Sequence, residues 1–188
     1  MTYEKLDNDE LLRIALDAIN QDHHAEAVSL LKTLLERDPM HVFATYLLAA
    51  EHAQLGMMDR AEEGFRKTVQ MKPDFPIARF HLGQMHITKG DAAAARDILA
   101  PLAEGPANLP LTHYARGLIA AASEDPAGAI AHLQAGLALP QEIPALASDM
   151  QRVVGNLQAV VAAAPARAVE APSASASLFL TGYGKSSH

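Results

Sequence analysis

Residues 61–73 read Ala-Glu-Glu-Gly-Phe-Arg-Lys-Thr-Val-Gln-Met-Lys-Pro, and their landmarks Ala61, Phe65 and Pro73 recur along the chain. Alanine returns every 34 residues, at Ala27, Ala61, Ala95 and Ala129. Four residues after each stands a large apolar side chain: Leu31, Phe65, Leu99 and Leu133. Twelve residues before each stands a small one: Ala15, Ala49, Gly83 and Gly117. Just ahead of these lie Ile14, Leu48 and Leu82, with Arg116 as the departure. Pro39 and Pro73 close two units in register, while Pro106 and Pro140 come one residue early. A fixed period of this length with one small phase marks an array of stacked helix pairs.

Each column has a packing reason. Two antiparallel helices approach closely only where side chains are small, so Gly83 and Gly117 are expected to face Ala95 and Ala129. The large residue one turn later then fills the space beside that contact. One pair cannot bury its apolar stripe alone, and about three or more repeats are needed for stability. The unit edges carry matching punctuation. Gly56 and Gly90 stand between the helices of a pair, where left-handed backbone is wanted. Asp7 or Asn8, Asp91 and Asp125 are suited to cap helix starts.

The columns resemble the tetratricopeptide repeat (TPR) signature, Trp-x2-Leu-Gly-x2-Tyr followed by Ala-x3-Phe and Pro. The aromatic ends of its first half are replaced here, the Trp by Leu11, Thr45, Arg79 and His113, the Tyr by Ala18, His52, His86 and Ala120. The resemblance covers roughly residues 8 to 141. It implies an all-α, right-handed solenoid of helix–turn–helix pairs, with units at about 8–41, 42–75, 76–109 and 110–141.

A helix over 143–164 is expected to follow. Leu146, Met150, Val153, Val154, Leu157, Val160 and Val161 recur at three- and four-residue steps, which makes one apolar stripe. It would cap the last exposed face of the array, or alternatively serve as a dimerisation helix. From residue 165 the composition shifts to a Pro/Ala/Ser linker, and 165–188 reads as linker and flexible tail. That tail carries Leu178, Phe179, Leu180 and Tyr183. These four are either part of a frayed terminus or anchors of a docking peptide. The linker, extended, reaches about 40 Å, enough for its own groove or a neighbour's.

Composition narrows the function classes. In 188 residues, 49% hydrophobic content suffices for a continuous core, and 5% aromatics suit one built from alanine and leucine. With no cysteine there is neither a disulfide nor a thiol nucleophile. A net charge of −7 without a basic stripe argues against a nucleic-acid partner. No apolar stretch is long enough for a membrane span, and no signal peptide precedes the repeats, so a cytoplasmic protein is expected. Nine histidines invite a metal hypothesis, but His81 and His86 are five apart and point to different helix faces. His52 and His86 occupy equivalent inter-helix positions and read as packing residues. Gly184-Lys185-Ser186 lacks the first glycine and following helix of a phosphate loop. We therefore expect no metal site, no cofactor and no catalytic grouping.

In TPR proteins the first helix of each pair lines a concave groove, and the resemblance carries that role onto matching positions. One column is Leu12, Tyr46, Phe80 and Tyr114; a second is Asp9, Phe43, Ile77 and Leu111. A third, Leu16, Ala50, Gln84 and Leu118, lies one turn on, followed by Ile19, Ala53, Ile87 and Ala121. Adjacent units would bury part of this face, but the columns together favour an apolar groove. Expected partner-binding residues are Leu12, Phe43, Tyr46, Ile77, Phe80, Gln84, Leu111, Tyr114 and Leu118, with Tyr46, Phe80 and Tyr114 as hot spots. The Lys and Asn of the family's carboxylate clamp are absent, so an apolar segment is the expected ligand. The expected function is a protein–protein interaction scaffold, an adaptor or assembly chaperone. One alternative is a structural subunit that homo-oligomerises through its tail. Another is the regulatory subunit of an enzyme.

Overall fold

The structure, a computed structural model, describes residues 5–163. Among the described residues there are nine α-helices and no strands. They are α1 (Asn8–Asn20), α2 (His24–Arg37), α3 (Val42–Gln54), α4 (Met58–Met71), α5 (Pro76–Thr88), α6 (Ala92–Ala103), α7 (Pro110–Ala122), α8 (Pro126–Leu137) and α9 (Pro144–Ala163). The chain divides into two compact units between Ala78 and Arg79, inside α5.

The same turn links the helices of every pair. Its left-handed residue is Asp22, Gly56, Gly90 or Glu124, at the 34-residue spacing. In all four turns the amide one residue later bonds the carbonyl five residues back, as Met57 N donates to His52 O at 2.8 Å. This closure satisfies carbonyls that the ending helix leaves open. Glycine adopts the conformation freely, whereas Asp22 and Glu124 adopt it against the steric cost of a Cβ. Side chains close the starts of α1, α3, α6 and α8, whereas α2, α4 and α7 have no such cap. The Asp7 carboxylate accepts from Glu10 N at 2.8 Å while Glu10 accepts from Asp7 N at 2.9 Å, a complete capping box. The Asp91 and Asp125 carboxylates accept from Ala94 N and Gly128 N and so cap α6 and α8 from one side only.

In the first unit, Leu11, Ala15, Leu30, Leu31, Leu34, Ala44 and Leu47 form a contiguous core. Helices α3 and α4 meet where Ala49 faces Gly64; a Cβ on Gly64 would lie 2.7 Å from that of Ala49. In the second unit the close approach takes a different form from the expected glycine-on-alanine pairing. A Cβ on Gly83 would lie 2.4 Å from Leu99 Cγ, and one on Gly117 would lie 2.6 Å from Leu133 Cγ. Glycine thus makes room first for the large residue. At Gly83 the three nearest atoms all belong to Leu99, while at Gly117 the Ala129 carbonyl oxygen also lies 3.2 Å from the added Cβ. Ala95 and Ala129 are themselves fully buried. Arg116, the departure from its column, donates its Nε proton to Ala103 O at 2.7 Å. A cation there meets the negative end of α6.

Helix α9 packs against α8 and buries Leu146, Met150, Val153, Val154 and Leu157. Val160 and Val161 stay exposed, so the buried stripe ends a turn earlier than the sequence pattern does.

Two glycines should respond to alanine with opposite signs. Gly117→Ala is expected to destabilise by about 1–3 kcal/mol, because the Ala129 carbonyl oxygen 3.2 Å from the new Cβ does not yield as a side-chain tip would. Gly155→Ala, in open space on α9, should stabilise by about 1 kcal/mol through helix propensity alone. Urea denaturation of both variants checks the pair.

Candidate partner-binding faces

The first helices carry the columns, and the two units treat them differently. In the first unit, Leu12 on α1 and Tyr46 on α3 are half-buried, and Phe43 is 37% exposed. Tyr46 sits at the centre of an aromatic cluster. Its ring stacks on Phe43 at 6.2 Å, meets Phe65 at 5.9 Å and is edge-on to Phe75 at 5.2 Å. Lys72 Nζ lies 5.9 Å from the centre of the Phe75 ring, within cation–π range. Burial pushes the Tyr46 hydroxyl up to about 12, so it stays protonated and neutral at physiological pH. Met40, 66% exposed, precedes α3, and Ile77 is half-buried at the start of α5.

In the second unit Leu111 is half-buried, but Phe80, Gln84, Tyr114 and Leu118 lie inside. The expectation that this face owes nothing to packing therefore needs correcting at these four residues. The Tyr114 ring lies against Gly136, where a Cβ would come within 2.7 Å of it. The Tyr114 hydroxyl donates to Gln141 Oε1 at 2.7 Å, and Gln141 Nε2 donates to the carbonyls of Gly136 (2.9 Å) and Leu139 (2.6 Å). The tyrosine is a core staple that ties α7 to the end of α8, which leaves no contact area for a partner. Gln84 Oε1 lies 3.0 Å from His81 Nδ1. Leu178, Phe179, Leu180 and Tyr183 lie outside the described residues.

The periodic reading missed Phe75, Met40 and the pairing of His24 Nδ1 with Glu51 Oε2 at 2.9 Å. Phe75 and Met40 sit in connections, where helical periodicity carries no signal. The His24–Glu51 pair joins residues 27 apart, and only folding brings them together.

Two histidines, His52 and His81, are shifted by burial. His52 is buried, and its Nε2 has no hydrogen-bond partner. Burial lowers its proton affinity, and the positive charges of Lys32 and Arg60 act in the same direction. Burial also lowers that of His81, against the opposing effects of the Gln84 hydrogen bond and Asp149. Among the described residues no group of three or more His, Cys, Asp or Glu is placed to hold a metal ion. No helix among them is long and apolar enough to cross a membrane.

Both depressed imidazoles make the fold acid-sensitive. Their folded proton affinities lie below the ordinary 6.5, so the unfolded chain binds more protons as pH falls below that value. The stability they contribute is present above pH 6.5 and is lost toward their lower folded values. Thermal unfolding followed between pH 7.5 and 5 should show a falling midpoint below 6.5. The double variant His52→Gln/His81→Gln should flatten that fall.

The tetratricopeptide repeat family matches residues 12–74 and 51–108. No match is found among curated proteins. In fold the chain is similar to TTC0263, a thermophilic TPR protein of Thermus thermophilus, at 20% identity and TM-score 0.68, over 94% of this chain and 97% of that one. It is also similar to residues 41 to the end of MamA from Desulfovibrio magneticus RS-1, at 18% identity and TM-score 0.62 over 94% and 93%. PilW, a widely conserved type IV pilus biogenesis factor, gives 16% identity and TM-score 0.63 over 94% and 76%. The fold is all-α, of the TPR solenoid class, and such arrays are typically non-catalytic scaffolds for protein–protein interaction. The helix pairs, their buried alanine column and the family match together establish that the chain belongs to the tetratricopeptide repeat family.

Proposed function

We propose that this protein is an adaptor or assembly chaperone that captures an apolar segment of a partner protein on the first-helix face of its first unit. The observation that carries this reading is the Phe43–Tyr46–Phe75 cluster, aromatic on a first-helix face and open at Phe43, with Met40 exposed beside it in sequence. Aromatic side chains offer large contact area with few rotors to freeze, and methionine adapts to irregular apolar partners. Leu12 and Ile77 extend the same columns. The partner residues proposed are therefore Leu12, Phe43, Tyr46 and Ile77. Among neighbours in fold, PilW is a biogenesis factor, which supports an assembly role. No catalytic activity belongs to this reading.

Affinity purification with mass spectrometry, run in parallel on the wild type and on Phe43→Ala and Tyr46→Ala, tests it. A true partner should be captured by the wild type and weakened by about tenfold or more in each variant, as for interface hot spots. If both variants retain the same proteins at wild-type levels, the face is not the site. Phe80→Ala and Tyr114→Ala should instead cost about 3–5 kcal/mol of stability, because they empty core positions.

A further inference from the structure

Equivalent columns differ in exposure between the two units, and the difference has a pattern. On α1, Leu12, Leu16 and Ile19 are all half-buried. On α5, the residues at the same three phases, Phe80, Gln84 and Ile87, are all buried. On α7 the phase-equivalent Tyr114, Leu118 and Ala121 are buried as well, whereas on α3 Tyr46 and Ala50 are half-buried and Ala53 alone of the three is buried. Side-chain chemistry does not explain this. Leu12 and Leu16 are fully apolar and gain by burial, yet they stay half-exposed, while Gln84 is polar and is covered. Gln141 and the end of α8 cover Tyr114, but they reach neither Phe80 nor Gln84 in any described contact.

The burial of Phe80 and Gln84 calls for a covering element in the second unit, and α9 has the properties such an element needs. It belongs to the same unit and presents a stripe at 146, 150, 153, 154 and 157, all five side chains buried. Ser148, Gln151, Arg152 and Gly155, off that stripe, are exposed or unobstructed. Asp149, in its first half, is close enough to His81 for its negative charge to raise the proton affinity of that imidazole. His81 is the residue beside Phe80 on α5, two helix pairs' worth of chain before α9 begins.

We propose that α9 is seated on the first-helix face of the second unit as a built-in ligand, and that it defines the partner class of the repeat face as an amphipathic helix with an aliphatic stripe. This deepens the reading that the repeat face captures apolar segments, and it rests on that reading for the partner class alone. Seated there on a short connection from α8, α9 competes with any partner helix at a high effective concentration. The first unit's face, where Leu12, Leu16, Ile19, Tyr46 and Ala50 are half-open, is the part of the array left accessible.

The absence of native cysteine makes the placement directly testable. In the full chain, His81→Cys with Asp149→Cys should cross-link within the monomer by a short bismaleimide. The control pair Arg96→Cys with Asp149→Cys, in which Arg96 is exposed on α6, should not. Equal cross-linking of the two pairs, or cross-linking of the control alone, overturns the placement. The ligand character is read with a fluorescent peptide of residues 143–163 added to the full chain and to Met150→Asp, which unseats the resident helix. The peptide should bind the variant about tenfold or more tightly than the wild type. Equal binding to both, or none to a variant that keeps its helicity, overturns it. Should Met150→Asp not fold, Val153→Asp serves in its place, and the cross-link stands independently of either. Neither measurement uses an external partner, so loss of partner capture at Phe43 and Tyr46 leaves both readouts unaffected.

Discussion

Within each helix pair the separation of the two backbones is set by how little side chain stands at one position of the first helix. At Ala49 the facing residue of α4 is Gly64, and at Gly83 and Gly117 the facing residues are Leu99 and Leu133. Gly64 stands one residue before the Phe65, Leu99 and Leu133 column, so the contact is made by different phases of the second helix. In each case a small or missing side chain is what admits the partner at close spacing, as dense interiors require. The buried alanines at 27, 61, 95 and 129, the turn geometry and the orientation of the outer columns all follow from that spacing.

Much of this was legible in the sequence because it is periodic. The alanine and small-residue columns specified helix pairs, and the glycines at 56 and 90 marked two of the turns. The equivalent turn at Glu124 was not legible, since glutamate does not announce a left-handed backbone, and Asp22, of a type that does visit it, gave only a weak signal beside glycine. Arg116 read as a flaw in its column until the end of α6 supplied Ala103 O as its acceptor. The capping box at Asp7 was readable in type, and only the folded backbone separates it from Asn8.

The candidate face was legible in part. Phase alone placed Phe43 and Tyr46 on a first helix, and they do form an accessible aromatic cluster. Phase could not reveal that Phe80, Gln84, Tyr114 and Leu118 are covered, because what covers Tyr114 includes Gln141, a connection residue outside the repeat period. A repeat predicts only what every unit shares. Terminal elements break the symmetry, and the functional difference between one unit's face and another's arises there.

The two kinds of turn residue also grade the array. The second and third pairs turn on glycine, while the first and fourth turn on Asp22 and Glu124, which hold a conformation disfavoured by about 1 kcal/mol for a residue with a Cβ. In a chain of nearest-neighbour units, local opening draws on the least stable elements first. Local opening is therefore expected to draw on the Asp22 and Glu124 turns before the glycine turns of the pairs between them.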